Sequence, residues 1–148
     1  MKMSVEARVR WVSDMQFVGV SGSNHAVVMD TGNEHGGNDT GATPMELLLV
    51  ALAGCTGMDV VSLLKKMRVN FSGLELRVKG ERRDEHPRIY TRIELEYVVY
   101  GKDVDEGAVK RAVELSQEKY CSVTGMIKAT CPVSYTYRIA QNQGELNA

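Results

Sequence analysis

Residues 43–59 read Thr43-Pro44-Met45-Glu46-Leu47-Leu48-Leu49-Val50-Ala51-Leu52-Ala53-Gly54-Cys55-Thr56-Gly57-Met58-Asp59, and the architecture turns on them. Thr43 can cap a helix, Pro44 suits the first helical position, and Glu46 stands where a capping box places its carboxylate. From Leu47 to Ala53 every residue is apolar, which on a helix leaves no wet face. The expectation is a central helix buried on all sides. Its pattern continues through Met58, Val60, Val61, Leu63 and Leu64 and ends near Met67, where Lys65, Lys66 and Arg68 suit the negative end of the helix dipole.

Downstream, Leu74, Leu76 and Val78 alternate with charged residues. After the polar stretch Arg83-Asp84-Glu85-His86-Pro87 the alternation resumes from Ile89 to Val99, predicting a long antiparallel hairpin. Asp103 and Asp105 offer caps to a second helix, on which Val109, Ala112, Val113, Ser116 and Tyr120 share one face. Cys121-Ser122 sits at its end, Ser122 can cap a short third helix through Ala129, and Val133 to Ile139 reads as a last strand.

Upstream, Val5, Ala7, Val9 and Trp11 alternate with charged residues as a half-buried strand. Two further strands, Gln16 to Ser21 and His25 to Asp30, flank the turn Gly22-Ser23-Asn24. Thr31 to Ala42 holds four glycines and reads as an irregular loop. The order βββ-α-ββ-αα-β predicts an α+β fold with antiparallel sheet, as a single domain over residues 1–148.

The bulk properties narrow the function. With 18 Lys+Arg against 19 Asp+Glu, no basic footprint argues for nucleic acid or an anionic membrane surface. The first residues lack the apolar core of a secretory signal, so the cytoplasm is the expected location. The apolar run Leu47 to Ala53 falls far short of the roughly 20 residues that cross a bilayer. Three cysteines without a CxxC or Cys/His cluster suggest neither a disulfide framework nor zinc, and no metal or cofactor is expected.

Cys55 lies between Gly54 and Gly57, each costing about 1 kcal/mol relative to alanine inside a helix. Close approach of another backbone, or access of a small substrate to the sulfur, would offset that cost. Amid Leu, Val and Ala, such a cysteine more often serves as a small inert hydrophobe. Cys121 stands at a helix junction, where free N–H groups of the next turn could stabilise a thiolate. Cys131, before Pro132, reads as packing.

Pro44-Met45-Glu46-Leu47-Leu48, Ala53-Gly54-Cys55 and Lys119-Tyr120-Cys121-Ser122-Val123 together resemble the OsmC/Ohr superfamily, specifically its YhfA-like OsmC branch, over nearly the whole chain. The resemblance implies the OsmC-like fold: antiparallel sheets around a long central helix, in an intertwined homodimer with active sites at the subunit interface. It also implies a thiol-dependent peroxidase acting on organic hydroperoxides. Cys55 would be the peroxidatic thiolate, becoming a sulfenic acid that Cys121 resolves as a disulfide. A dithiol reductant, a lipoyl group or thioredoxin, would restore both thiols. Family members with peroxidase behaviour carry an arginine in the loop before the central helix, paired with the helix-start glutamate, here Glu46. This loop has no arginine, and its nearest candidate by position is His35. Asp59, one turn past Cys55, would oppose a thiolate if it faced the sulfur. The rival expectation is a non-catalytic dimer that binds a small molecule or senses oxidation.

Overall fold

A computed structural model describes residues 3–142 as two compact units, the first reaching to Leu48 and the second starting at Leu49. In the first, β1 (Ala7–Ser13), β2 (Gln16–Ser21) and β3 (Ala26–Met29) form an antiparallel meander, with Trp11 opposite Phe17 and Phe17 opposite Met29. The alternation of β1 does not bury one face: all seven residues are exposed, Trp11 to 66%, on a strand that forms one edge of the sheet.

The glycine-rich loop is ordered by a residue that its composition conceals. Asp30, 3% exposed, accepts hydrogen bonds from the N–H groups of Thr31 (2.7 Å), Thr40 (3.1 Å) and Asn38 (3.3 Å) and from the Thr40 hydroxyl. A β-carbon on Gly37 would lie 2.1 Å from the Thr31 carbonyl oxygen, so only glycine lets the loop close on this carboxylate. The Thr40 hydroxyl and the Thr31 N–H hold the Asp30 carboxyl below its usual pKa. A depressed folded-state pKa contributes order above the ordinary carboxylate value and loses it only as pH falls through the lowered one. Limited proteolysis within Thr31–Ala42 is therefore expected to stay slow down to pH 4 and to quicken below it. Asp30→Asn should make cleavage fast at neutral pH; equal cleavage of both proteins would contradict this role.

The second unit holds a sheet of order β4-β5-β6, from β4 (Gly73–Arg82), β5 (Tyr90–Tyr100) and β6 (Val133–Ala140). β4 and β5 form the expected antiparallel hairpin, but β6 joins β5 in parallel, from Ile93 opposite Val133 to Tyr100 opposite Ala140. A parallel pair needs a long crossover, which the intervening helices supply. Successive residues Tyr97, Val98, Val99 and Tyr100 are all buried, so the central strand is covered on both faces here.

α1 (Pro44–Lys66) begins at the predicted cap and runs for 23 residues, ending one residue short of the predicted Met67. It is long and apolar enough to cross a bilayer. Even so, it is not buried on all sides. Leu52, Thr56, Val60 and Leu64, four residues apart, form one fully buried stripe. Gly57 joins it: an added β-carbon there would sit 3.0 Å from Leu76 of β4, so this glycine is offset by close approach to the sheet. On the opposite side Val50, Gly54, Met58 and Ser62 repeat the same spacing and are exposed, Val50 to 62% and Met58 to 76%. The sequence is apolar all round because it has two apolar faces, and the chain covers one of them.

α2 (Glu106–Leu115) starts at Asp105, whose carboxylate accepts the Gly107 N–H at 2.9 Å. It then widens into a π-helical turn over Ser116–Tyr120, and α3 (Ser122–Lys128) follows. The widened turn changes which residues face inward. Ser116 and Gln117 are buried, whereas Tyr120, expected on the buried face, is 47% exposed.

Candidate active site

The two cysteines singled out by sequence come together within the second unit. Cys55 lies midway along α1, half-buried between its covered and uncovered stripes. Cys121 follows the π turn and is 6% exposed. The Cys55 side chain is near enough to act on the Cys121 thiol, raising its pKa, and both thiols are free.

Cys121, not Ser122, caps α3. Its sulfur accepts the Thr124 N–H at 3.4 Å, and its own N–H reaches back five residues to the Ser116 carbonyl at 2.8 Å. A π turn is uncommon and clusters at functional sites. Burial pushes the Cys121 thiol above its ordinary pKa, the Thr124 hydroxyl and N–H act against that rise, and the Cys55 thiol adds to it. Among the described residues the fully buried Thr124 hydroxyl oxygen has no hydrogen-bond partner. Since the thiolate is the reactive form, a raised pKa means slow reaction at neutral pH. Iodoacetamide alkylation of Cys121 is expected to reach half its limiting rate above the pH of a free thiol, about 8.5. Thr124→Val should raise that midpoint further; a midpoint at or below the free-thiol value would contradict the geometry.

Behind the pair lies a buried chain of hydroxyls that sequence inspection missed. Gln117 Nε2 donates to the Tyr97 hydroxyl at 2.6 Å, and Tyr97 and Thr56 oxygens are 2.6 Å apart. Thr56 and Ser116 oxygens are 2.7 Å apart, and Ser116 donates to the Asp59 carboxylate at 2.9 Å. The donor order follows from the ends. Gln117 can only donate through this nitrogen and the carboxylate can only accept, so Tyr97 donates to Thr56 and Thr56 to Ser116. Burial pushes the Tyr97 phenol up to about 12, so it remains a donor across the physiological range. Asp59 is thereby engaged as the terminal acceptor. The available signal was a threonine on the apolar stripe of α1 and a serine on that of α2.

Of the remaining candidates, Glu46 and His35 belong to the first unit and Cys131 to the second. Glu46 and Thr43 form the capping box: Thr43 N–H donates to Glu46 Oε1 at 3.0 Å and Glu46 N–H to Thr43 Oγ1 at 3.2 Å. The Thr43 N–H foremost, then the Thr43 hydroxyl, hold the Glu46 carboxyl below its usual pKa. His35 ends a single 3-10 turn, Asn33–His35, exposed and 3.9 Å from Glu34. Cys131 is 5% exposed, and burial raises its pKa.

A model of the family described as OsmC-like protein matches residues 36–136, spanning α1, the hairpin and both cysteines. The chain belongs to the OsmC-like family. Among OsmC-like relatives, Protein YhfA of Escherichia coli (strain K12) is 42% identical over 135 residues, 91% of this chain and 98% of that one. A hypothetical protein from Aquifex aeolicus VF5 is 34% identical, with a TM-score of 0.79 over 95% of this chain and 100% of its own. An organic hydroperoxide resistance protein OsmC from Legionella pneumophila shares the fold, with a TM-score of 0.69 at 10% identity, over 91% of this chain and 96% of its own. The OsmC-like α+β fold is thus established for this chain, and some proteins of the superfamily are organic hydroperoxide resistance proteins.

Proposed function

We propose that this protein reduces organic hydroperoxides by a two-cysteine mechanism. The reading rests on one observation, the proximity of Cys55 on α1 to Cys121 at the end of the π turn. Cys55, the more exposed of the two, attacks the peroxide O–O bond as a thiolate. The alcohol leaves and a sulfenic acid remains. Cys121 then attacks the Cys55 sulfur, expelling water and closing the disulfide. A dithiol of the lipoyl or thioredoxin type returns two electrons and two protons. The same reading gives His35 the role of the family's arginine, supplying positive charge when protonated, and counts Glu46 among its catalytic residues. The apolar surroundings of α1 favour substrates with a hydrocarbon tail.

The same reading makes the protein a homodimer in the cytoplasm. Its support is the uncovered stripe Val50, Gly54, Met58, together with an open groove of about 800 Å³ between α1 and β4, lined by Gly54, Met58, Val61, Phe71, Leu74 and Leu76. Contiguous apolar surface of this kind marks an interaction site.

Steady-state consumption of cumene hydroperoxide with dihydrolipoamide tests the activity. Sustained turnover, many peroxides per chain, is the expected result. Oxidation that stops after one equivalent would replace the enzyme reading with a redox-sensing dimer.

A further inference from the structure

Nothing in the chemistry of a disulfide demands Thr56, Ser116 or a π turn, yet all three converge on the cysteine pair. Thr56 follows Cys55 directly, and Ser116 opens the turn that ends at Cys121. Ser116 is bonded in both directions. Its hydroxyl takes the Thr56 bond at 2.7 Å and gives one to Asp59 at 2.9 Å, both on α1. Its carbonyl receives the Cys121 N–H at 2.8 Å. One fully buried residue therefore ties the helix carrying one thiol to the backbone carrying the other. Were the turn to relax to α-helical register, the Ser116 carbonyl would pair with the residue before Cys121 and the sulfur would swing about the helix axis.

We propose that Thr56 and Ser116 are positioning residues that set the reach between Cys55 and Cys121, and hence the effective concentration at which one thiol meets the other. This rests on reading the two cysteines as a redox pair. Hydroxyls linked in one direction strengthen one another in a low-dielectric interior, so the chain holds better than its separate bonds would. Fixing two reacting groups in a close-contact geometry raises the rate and equilibrium of their union without any new chemistry.

The test uses glutathione, so that it is independent of peroxide turnover. In a redox buffer, a protein thiolate attacks glutathione disulfide and expels one glutathione thiolate. The second protein thiol then displaces the other glutathione and closes the Cys55–Cys121 bond. Two protein thiols are oxidised and one glutathione disulfide becomes two thiols. Full-length wild type, Thr56→Val, Ser116→Ala and Thr56→Ser are equilibrated across glutathione ratios, with disulfide read by alkylation and mass spectrometry. Thermal unfolding of the reduced proteins is measured alongside.

Thr56→Val and Ser116→Ala should each disfavour the disulfide about tenfold, a midpoint about 30 mV less reducing. Thr56→Ser keeps the oxygen and should keep the wild-type midpoint even though the lost methyl lowers its Tm. A purely structural role would lower Tm in all three and leave every midpoint unchanged, which would overturn the proposal, as would a shift in Thr56→Ser equal to that in Thr56→Val. Should Thr56→Val fail to fold, Ser116→Ala against Thr56→Ser decides alone. Wild type that forms the disulfide but consumes no hydroperoxide would remove the proposed enzyme and leave the positioning intact. Wild type that never forms it would remove both.

Discussion

Cys55→Ser is expected to lower hydroperoxide consumption by about a thousandfold or more, while Cys121→Ser retains a single round. A serine hydroxyl is a poor nucleophile without an adjacent base, and removing the attacking atom from a site whose groups act together costs orders of magnitude. Without Cys121, Cys55 still attacks, but its sulfenic acid has no nearby thiol. It should then persist long enough to be trapped by dimedone, or proceed to the irreversible sulfinic acid under excess peroxide. The asymmetry follows from exposure: Cys55 is half-buried whereas Cys121 is 6% exposed, beneath its α3 cap. The reverse pattern, with dimedone labelling Cys121 in Cys55→Ser, would reassign the two roles.

Met58→Asp is expected to weaken self-association by about 2–4 kcal/mol, the range of a central anchor in a well-packed interface. Val50, Gly54 and Met58 lie on one stripe of α1, directly opposite the stripe that packs on the sheet. Among the described residues nothing lies within 4 Å of a β-carbon added to Gly54, so these residues supply no reason for a glycine there. A second α1 packed across this stripe does supply one, since small residues let helices approach closely. Sedimentation velocity at micromolar concentration should show a wild-type dimer and a Met58→Asp species shifted toward monomer, with unchanged circular dichroism. A wild-type monomer at that concentration would contradict the arrangement.

Features governed by neighbouring residues were readable from the chain. The start of α1 is one: the Thr43–Glu46 capping box closes within a single turn, so residue types at fixed spacing specify it. The hairpin of β4 and β5 is another, carried by alternation on either side of a polar turn. What escaped depends on distant partners. Alternation locates β6 but says nothing of its direction, and its parallel pairing with β5 is set by the crossover. Apolar residues all round α1 predict burial without saying whether the cover is the chain's own sheet or a second copy. The register of α2 breaks at Ser116, where the Cys121 N–H bond reaches five residues back, and a pattern read at helical period cannot show this. Tyr120 was counted on the buried face for that reason, while Gln117, which is buried, drew no notice. The cysteine pair stood on family resemblance at the sequence level; the structure adds that the two lie near each other, and that Thr56 and Ser116 link their elements.

The central claim, that Cys55 and Cys121 are a working redox pair, is tested most directly by treating the reduced protein with one equivalent of cumene hydroperoxide and mapping its disulfides. The expected result is loss of one peroxide per chain, a peptide joined through Cys55 and Cys121, and Cys131 still free to alkylate. Unconsumed peroxide with all three thiols alkylatable, or a bridge that includes Cys131, would contradict it.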